Sequence, residues 1–476
     1  MHRKFILPFF ILIFIHLAAH SQQAWSLEDC IAYAMQNNIT IKQYELNTEY
    51  NENVLKQSRL GQIPSLNADS RYSYSWGRAL DQTTYQFTDD QQINSISMGL
   101  SSRVNLFNGL QVRNSILKNK LDLMASYQDV EKIKNDISLN IAAAYLTILF
   151  NKELLSVTKI QLETTGQQVE RTLKMVDAGR LARGNYLELE AQYAAEELNL
   201  VNAENQLSIS LLNLQQMLDL PIDTAFDVFI PELPDPAADP LVIDAMEVYR
   251  VAEMEMPEIK SAELSKESSE KDLQIAKGAH SPQLYLSANY SSGFSDIRQK
   301  VVNLTDPMRV QIGITQNTLE PVVTMNLQQI PTYGKYPFFE QIRDNTSAGV
   351  GLGLSVPIFN GWQVNTNVAN ARIMLRQAEL ELQSRKLALY ASIQQAYADA
   401  LAALKKFNSS QQALVSMEES FKYTEKKFEV GLVNTVDYNI SKNQLTATQS
   451  DLLQAKYDFI FRIKILNFYK GEPITL

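Results

Sequence analysis

The segment Leu106-Phe107-Asn108-Gly109 returns as Ile358-Phe359-Asn360-Gly361, and the match runs without a gap across 106–222 and 358–474 at a constant offset of 252. Gln111-Val112 meets Gln363-Val364, Ala144-Tyr145 meets Ala396-Tyr397, and Gly179 meets Gly431. Tyr186, Gln192 and Pro221-Ile222 meet Tyr438, Gln444 and Pro473-Ile474. A period this long is far outside the 20–50 residues of a solenoid repeat. It is a duplicated half-molecule. Between Gly109 and Gly179 there is no proline and one glycine, Gly166, and the second copy from Gly361 to Gly431 has neither inside it. Val130, Ile133, Ile137, Ile141, Ala144 and Ile148 recur at three-to-four spacing, the apolar stripe of an amphipathic helix. About 70 residues at 1.5 Å each make a rod of roughly 105 Å. Helices of that length imply a coiled coil or a helical barrel.

The remaining sequence narrows the class. A net charge of −10 among 476 residues argues against a nucleic-acid surface. Residues 1–21 read as a secretory signal: His2, Arg3 and Lys4, then an apolar run from Phe5 to Ala19, then a cut before Gln22. The other reading, a membrane anchor, is opposed by the short run and by Pro8 within it. The mature chain would keep one histidine, His280, and one cysteine, Cys30. An intrachain disulfide is then impossible, and a His/Cys metal site or a Ser-His-Asp triad is disfavoured. Cys30 shares an apolar helical face with Leu27, Ile31 and Ala34 and reads as a small buried hydrophobe. No phosphate loop occurs, no cofactor is expected, and nothing in the chain looks like an enzyme.

In chain order, Ser26 is an N-cap for a helix over 27–37, Asn37-Asn38 breaks it, and a second helix runs from Ile39 to Leu60. Apolar alternation of period two follows over 66–76 and 95–106, around a polar loop at 77–94. Some ten residues of strict alternation fit a transmembrane β-strand with one face to lipid and one to a lumen. Tyr72, Tyr74 and Trp76 would lie at an aromatic girdle, and Asp69, Arg71 and Arg103 on the lumen face. A half-buried soluble hairpin would show the same alternation. The long helix ends at Asp177-Ala178-Gly179-Arg180, and a return helix covers 184–218. Five prolines over 221–240 (221, 231, 234, 236 and 240) rule out regular helix there, and 223–240 reads as a linker between a first repeat at 22–222 and a second at 241–476. Helices at 241–255 and 257–277 precede strands at 284–292 and 347–358, matching the first repeat at an offset of 218. The offset then grows to 252, so 34 residues are inserted within 295–346, an expected extracellular loop. A second long helix from 361, its tip at Val430-Gly431-Leu432, and a return helix to 469 complete the chain.

Four strands cannot close a barrel round a lumen, and eight only fill their own interior with side chains. An open sheet edge is not tolerated in hydrocarbon. Three chains sharing one barrel give twelve strands and clear space inside, with the polar helices forming a second barrel in the periplasm.

At these residues the chain resembles the outer membrane efflux proteins of the TolC family, along essentially its whole mature length. The motifs are Trp25-Ser26-Leu27-Glu28-Asp29-Cys30-Ile31, the paired Phe-Asn-Gly joints, and Phe428-Glu429-Val430-Gly431-Leu432 followed by Asp437. The resemblance implies a homotrimeric β-barrel in outer-membrane lipid on a periplasmic α-barrel. It also implies docking through a periplasmic adaptor (membrane fusion) protein to an inner-membrane pump for efflux or type I secretion. It implies a periplasmic aperture after the helix turns, where Asp437 matches best and Asp177, Arg180, Arg183 and Glu429 are further candidates. Adaptor docking would fall at Gly179, Val430, Gly431 and Leu432. The first turn departs from the pattern, with Arg180 where Leu432 stands and Asn185 in place of the acid. A coiled-coil scaffold would explain the helices but not the strands, and a passive porin the strands but not the rods.

Overall fold

The computed structural model describes residues 24–81, 85–221, 225–232 and 244–476; the expected secretory signal at 1–21 and residues 223–224 and 233–240 of the expected linker lie outside the described residues. Two helices open the chain, α1 (Leu27–Asn37) and α2 (Ile39–Leu60), followed by strands β1 (Ser65–Gly77) and β2 (Gln91–Phe107). The long helix α3 (Gln111–Asp177) and its return α4 (Arg183–Met217) come next. The second half repeats the order with α5 (Ala245–Glu255), α6 (Pro257–Gly278), β3 (Gln283–Ser295) and, after an inserted segment, β8 (Ser347–Ser355), α8 (Gln363–Glu429) and α9 (Thr435–Tyr469). The inserted segment holds β4 (Gln299–Leu304), β5 (Gln311–Ile314), β6 (Pro321–Val323), β7 (Pro331–Lys335) and α7 (Phe338–Asp344).

The duplication is metrically close. Helices α3 and α8 each have 67 residues, and α4 and α9 each have 35. Each long helix starts two residues after its Phe-Asn-Gly joint because two successive residues are left-handed there: Gly109 and Leu110 (φ +66° and +62°), Gly361 and Trp362 (φ +62° and +68°). A bulky residue costs about 1–2 kcal/mol in that conformation, so its recurrence at both joints marks a built corner. The α1–α2 break is held by Asn38, whose side-chain oxygen accepts from Thr40 N at 2.9 Å while its amide donates to Met217 O at 3.2 Å. In the second half Pro257 opens α6 at the position where a missing N–H is harmless.

Two compact units emerge, and they do not follow the repeat boundaries: both repeats contribute to each. The first comprises the chain up to Asn51, Asp122–Lys266 and Gln377–Leu476. Its main core joins Leu27, Cys30 and Ala34 to Ile141, Tyr145, Ile148 and Leu149 of α3 and to Leu214, Tyr457 and Ile460. A second core repeats the plan with Val248 and Ala252 against Leu389 and Ile393. Val248 stands at the offset position of Cys30, which is fully buried with its thiol pushed up to about 12, first by burial and then by Asp29 and Glu28. A thiol so placed behaves as packing, not as a nucleophile. The described linker residues pair with the chain start: Trp25 N donates to Asp227 O, Phe229 N donates to Trp25 O, both at 2.9 Å, and Tyr145 Oη donates to Phe229 O at 2.6 Å.

The second unit, Glu52–Leu121 with Glu267–Arg376, carries a four-stranded antiparallel sheet in the order β1-β2-β3-β8. Asn67 faces Ser101, Ser101 faces Asn289, and Asn289 faces Gly349. Ala68 likewise faces Leu100, Leu100 faces Tyr290, and Tyr290 faces Ala348. Polar and apolar faces are therefore continuous across all four strands. The ladder departs from the expected strand ends. β2 begins at Gln91, opposite Gly77, because pairing continues past the point where apolar alternation stops. β8 ends at Ser355, just before Pro357, which has no N–H to donate. Residues 295–346 are an ordered subdomain of two small hairpins, β4–β7 and β5–β6, and the helix α7. Gln341 of α7 is fully buried, accepting from Ser295 N at 3.1 Å and donating to Ser295 O and Tyr336 O.

Candidate functional site

Both hairpin tips of the helical unit are closed by the same backbone device. Gly179 (φ +71°) donates to Val176 O and Arg180 to Met175 O; Gly431 (φ +77°) donates to Phe428 O and Leu432 to Lys427 O, all at 2.9–3.0 Å. These are paired Schellman ends that satisfy the last carbonyls of α3 and α8. A Cβ at either glycine would meet nothing within 4 Å, so glycine is required for φ and not for space. Asn434 caps α9 by accepting from Asp437 N at 2.8 Å, which fixes Asp437 in the first turn, where the helix dipole favours a carboxylate. At the other tip Ala182 has no capping side chain.

Around these turns the aperture candidates Asp177, Arg180, Arg183, Glu429 and Asp437 are all exposed. Among the described residues Asp437 and Arg183 form no ion pair with each other inside one chain. The one candidate with a partner is Glu429, whose carboxylate stands 3.4 Å from Arg171 Nη1 on α3. The docking candidates Val430 and Leu432 are 71% and 76% exposed, an apolar tip without cover in the single chain.

Behind the tips, a polar layer binds the two helical hairpins together. Gln168 donates to the hydroxyl of Tyr438, whose ring is buried between Phe428 (4.6 Å between centroids) and Phe421 (5.4 Å). Lys442 donates to Glu196 at 3.0 Å and to Thr165, both carboxylate and ammonium nearly enclosed. Gln192 donates to Asn443 at 2.9 Å, and Tyr457 to Glu153 at 2.7 Å. Tyr438 and Gln192 stand out in the sequence only as matched points of the repeat, and Phe428 only as part of the tip motif; nothing there marks any of these residues as a contact between hairpins. The burial of Lys442 with Glu196 leaves no mark in the sequence, since a paired buried charge has no periodic signal. The repeat itself diverges here: Tyr186, the twin of Tyr438, bonds only its own helix neighbour Glu190 at 3.1 Å.

In the sheet unit, Asp69, Arg71 and Arg103 share the polar face, as the period of two requires. Glycines lie beneath the larger groups on that face. A Cβ at Gly99 would come 3.0 Å from the Asp69 carboxylate, and one at Gly353 would come 2.3 Å from the Tyr285 ring. Arg103 stacks its guanidinium 3.8 Å above the centroid of that same ring.

Long paired helices ending in glycine turns, joined to a four-stranded two-faced sheet, are the parts of a channel protein, and the chain matches the outer membrane efflux protein family over residues 31–219 and 248–460. The chain belongs to that family. Outer membrane protein TolC of Escherichia coli K12 is 24% identical over 468 residues, covering 96% of this chain and 84% of that protein. The CmeC outer membrane channel of Campylobacter jejuni superposes with a TM-score of 0.73 at 15% identity, covering 94% of this chain and 85% of that one. VceC of Vibrio cholerae gives 0.71 at 14% identity, covering 94% and 96%. This outer membrane efflux protein is thus an outer-membrane channel for efflux or secretion, with its helical barrel in the periplasm. Channels of the family are trimers that work with an adaptor and an inner-membrane pump. Four strands from each of three protomers give the twelve-stranded barrel.

Proposed function

We propose that this channel rests closed at its periplasmic mouth, where six glycine turns from three chains converge, and opens when an adaptor packs on them. Cargo delivered by the pump then crosses the outer membrane without further energy input. The observation that carries the reading is the pair of exposed Schellman tips: two per chain, with Asp437 fixed by Asn434 at one and Val430 and Leu432 uncovered beside it. An apolar tip flanked by charge suits docking of an adaptor's helical hairpin, and closure by exposed charges is weak, on the order of 1 kcal/mol per pair. That weakness suits a gate that protein contact must open. Arg171–Glu429 holds the two hairpins of one chain together just behind the tip and joins Asp437, Arg183, Arg180 and Asp177 as a closing group. The apolar face of the sheet, with Leu66, Leu100 and Leu352, meets outer-membrane lipid, and the face with Asp69, Arg71 and Arg103 lines the lumen.

Single-channel conductance of purified trimers tests this. Wild type should conduct poorly, while Asp437→Ala, and more so Asp437→Ala with Arg183→Ala, should conduct better at unchanged trimer stability. Equal conductance in all three would place the constriction elsewhere.

A further inference from the structure

The four strands carry three charged side chains, Asp69, Arg71 and Arg103, all on the polar face. Two positives against one negative leave each protomer's barrel segment at +1, although the whole chain stands at −10. Placement decides whether that excess is felt. Asp69 and Arg71 are two residues apart on one face of β1, roughly 7 Å, and offset each other. Arg103 lies opposite Ser65, four residues along β1 from Asp69, a distance of roughly 13 Å. Charges farther apart than about 10 Å are largely screened at 0.1 M salt, so Asp69 does not cancel it. No carboxylate pairs with Arg103 among the described residues.

The side chain is also held in place. The Tyr285 ring lies over Gly353, where only a glycine leaves room, and the Arg103 guanidinium stacks on that ring at 3.8 Å from its centroid. The stacking on a ring that is itself seated over a glycine fixes a cation on the lumen face without an acid to neutralise it. A guanidinium stays charged across the whole accessible pH range. Threefold symmetry repeats it three times round a pore too wide to be filled by side chains.

We propose that Arg103, stacked on Tyr285, forms a ring of three fixed positive charges that makes the barrel lumen select anionic solutes. The inference rests on the channel reading and on the lumen assignment of the polar face. A ring of arginines raises the local concentration of anions as rings of acids do for cations. Carboxylate- or phosphate-bearing cargo would pass the barrel more readily than cations of the same size.

The test is the reversal potential of purified trimers in planar bilayers under a potassium chloride gradient, in an Asp437→Ala background so that aperture acids do not mask the barrel. The parent should favour chloride. Arg103→Gln should shift the reversal potential toward that of potassium, Asp69→Asn should shift it further toward chloride, and Arg103→Lys should leave it near the parent. Unchanged reversal potentials in conducting Arg103→Gln and Asp69→Asn channels would overturn the selectivity while leaving the channel intact. Chains that form no conducting trimer would overturn the channel reading, and this inference with it.

Discussion

Lys442 of α9 and Glu196 of α4 meet at 3.0 Å, each with a side chain only 8% exposed, and Thr165 of α3 completes the cluster. A charge pair this enclosed stands where two helical hairpins touch. Removing one partner strands the other in a poorly solvated site, which typically costs about 3–5 kcal/mol. Lys442→Met should therefore destabilise the folded chain strongly, measured by denaturant unfolding. The double variant Lys442→Met with Glu196→Leu should recover most of the loss, because apolar groups of similar volume can replace a buried pair. A double variant as unstable as the single one would mean that the ion pair is not what holds the hairpins there.

Gly109 and Gly179 have similar left-handed backbones, φ +66° and +71°, but different surroundings. A Cβ at Gly109 would sit 2.2 Å from Gly278 O, a backbone atom that cannot step aside, whereas one at Gly179 meets nothing within 4 Å. Gly179→Ala should cost about 1–2 kcal/mol, the ordinary penalty of a left-handed alanine. Gly109→Ala should cost clearly more, since the joint between β2 and α3 has to open. Comparing thermal stabilities of the two purified variants separates strain in φ from close approach, and equal losses would show that the contact with Gly278 yields freely.

Much of this architecture could be read from the chain because its signals are periodic. The bounds of α1, α2 and β1 follow from Ser26, the Asn37-Asn38 pair and Pro64, each within a residue or so of the observed ends. The duplication located every long helix. What escaped the reading depends on contacts distant in sequence. Arg171 gives no hint that its partner is Glu429, and Tyr438 differs from Tyr186 only through what packs around it. The segment 295–346 looked like a plain loop because strands of three to six residues are too short to show a period.

That segment divides into a removable part and a fixed part. Helix α7 is tied to β3 by Gln341 and by Asn345, whose amide donates to Gly293 O at 2.7 Å. The outer hairpins β4–β7 and β5–β6 carry no strand of the four-stranded sheet. Replacing 306–329 with a short Asn-Gly turn that joins β4 to β7 should leave heat-modifiable trimers in the outer membrane, since a shorter closure costs little. Gln341→Ala, which leaves buried backbone groups unpaired, should cost about 1–3 kcal/mol. Loss of trimers after the hairpin deletion would mean that the hairpins brace the barrel.

The lipid register is tested by arginine on the two faces of β2. Leu100→Arg would place a charge against hydrocarbon, at about 2–4 kcal/mol near the bilayer midplane. Ser101→Arg, one residue on, points the charge to the polar face beside Asn67 and Asn289 and should cost far less. Gly353 is unsuited as a lumen control, because the Tyr285 ring already occupies the space above it. Equal destabilisation of the first two variants, read from trimer melting, would overturn the assignment of faces.

Alkaline pH gives a separate handle on the polar layer behind the tips. The Tyr438 hydroxyl is pushed up to about 12, chiefly by burial and further by Glu425, Glu196 and Glu429, against the lowering effect of its hydrogen bond from Gln168. A phenol is neutral while protonated, so the raised value means that the fold favours the neutral form. Its contribution is complete below about pH 10, the ordinary tyrosine value, and is lost as pH rises from there through about 12. A shift of this size corresponds to roughly 2–3 kcal/mol at the alkaline end. Tyr145 and Tyr457, also raised by burial, add their own alkaline loss in every variant, so the comparison must be differential. Tyr438→Phe keeps the ring against Phe428 and Phe421 but has nothing to ionise. Stability measured by denaturant unfolding at pH 8 to 12 should fall more steeply above pH 10 in wild type than in Tyr438→Phe. Near neutrality the order should reverse, because phenylalanine leaves Gln168 without its acceptor. Parallel curves up to pH 12 would mean that Tyr438 is hydrated in the folded trimer and that the layer between the hairpins is wet.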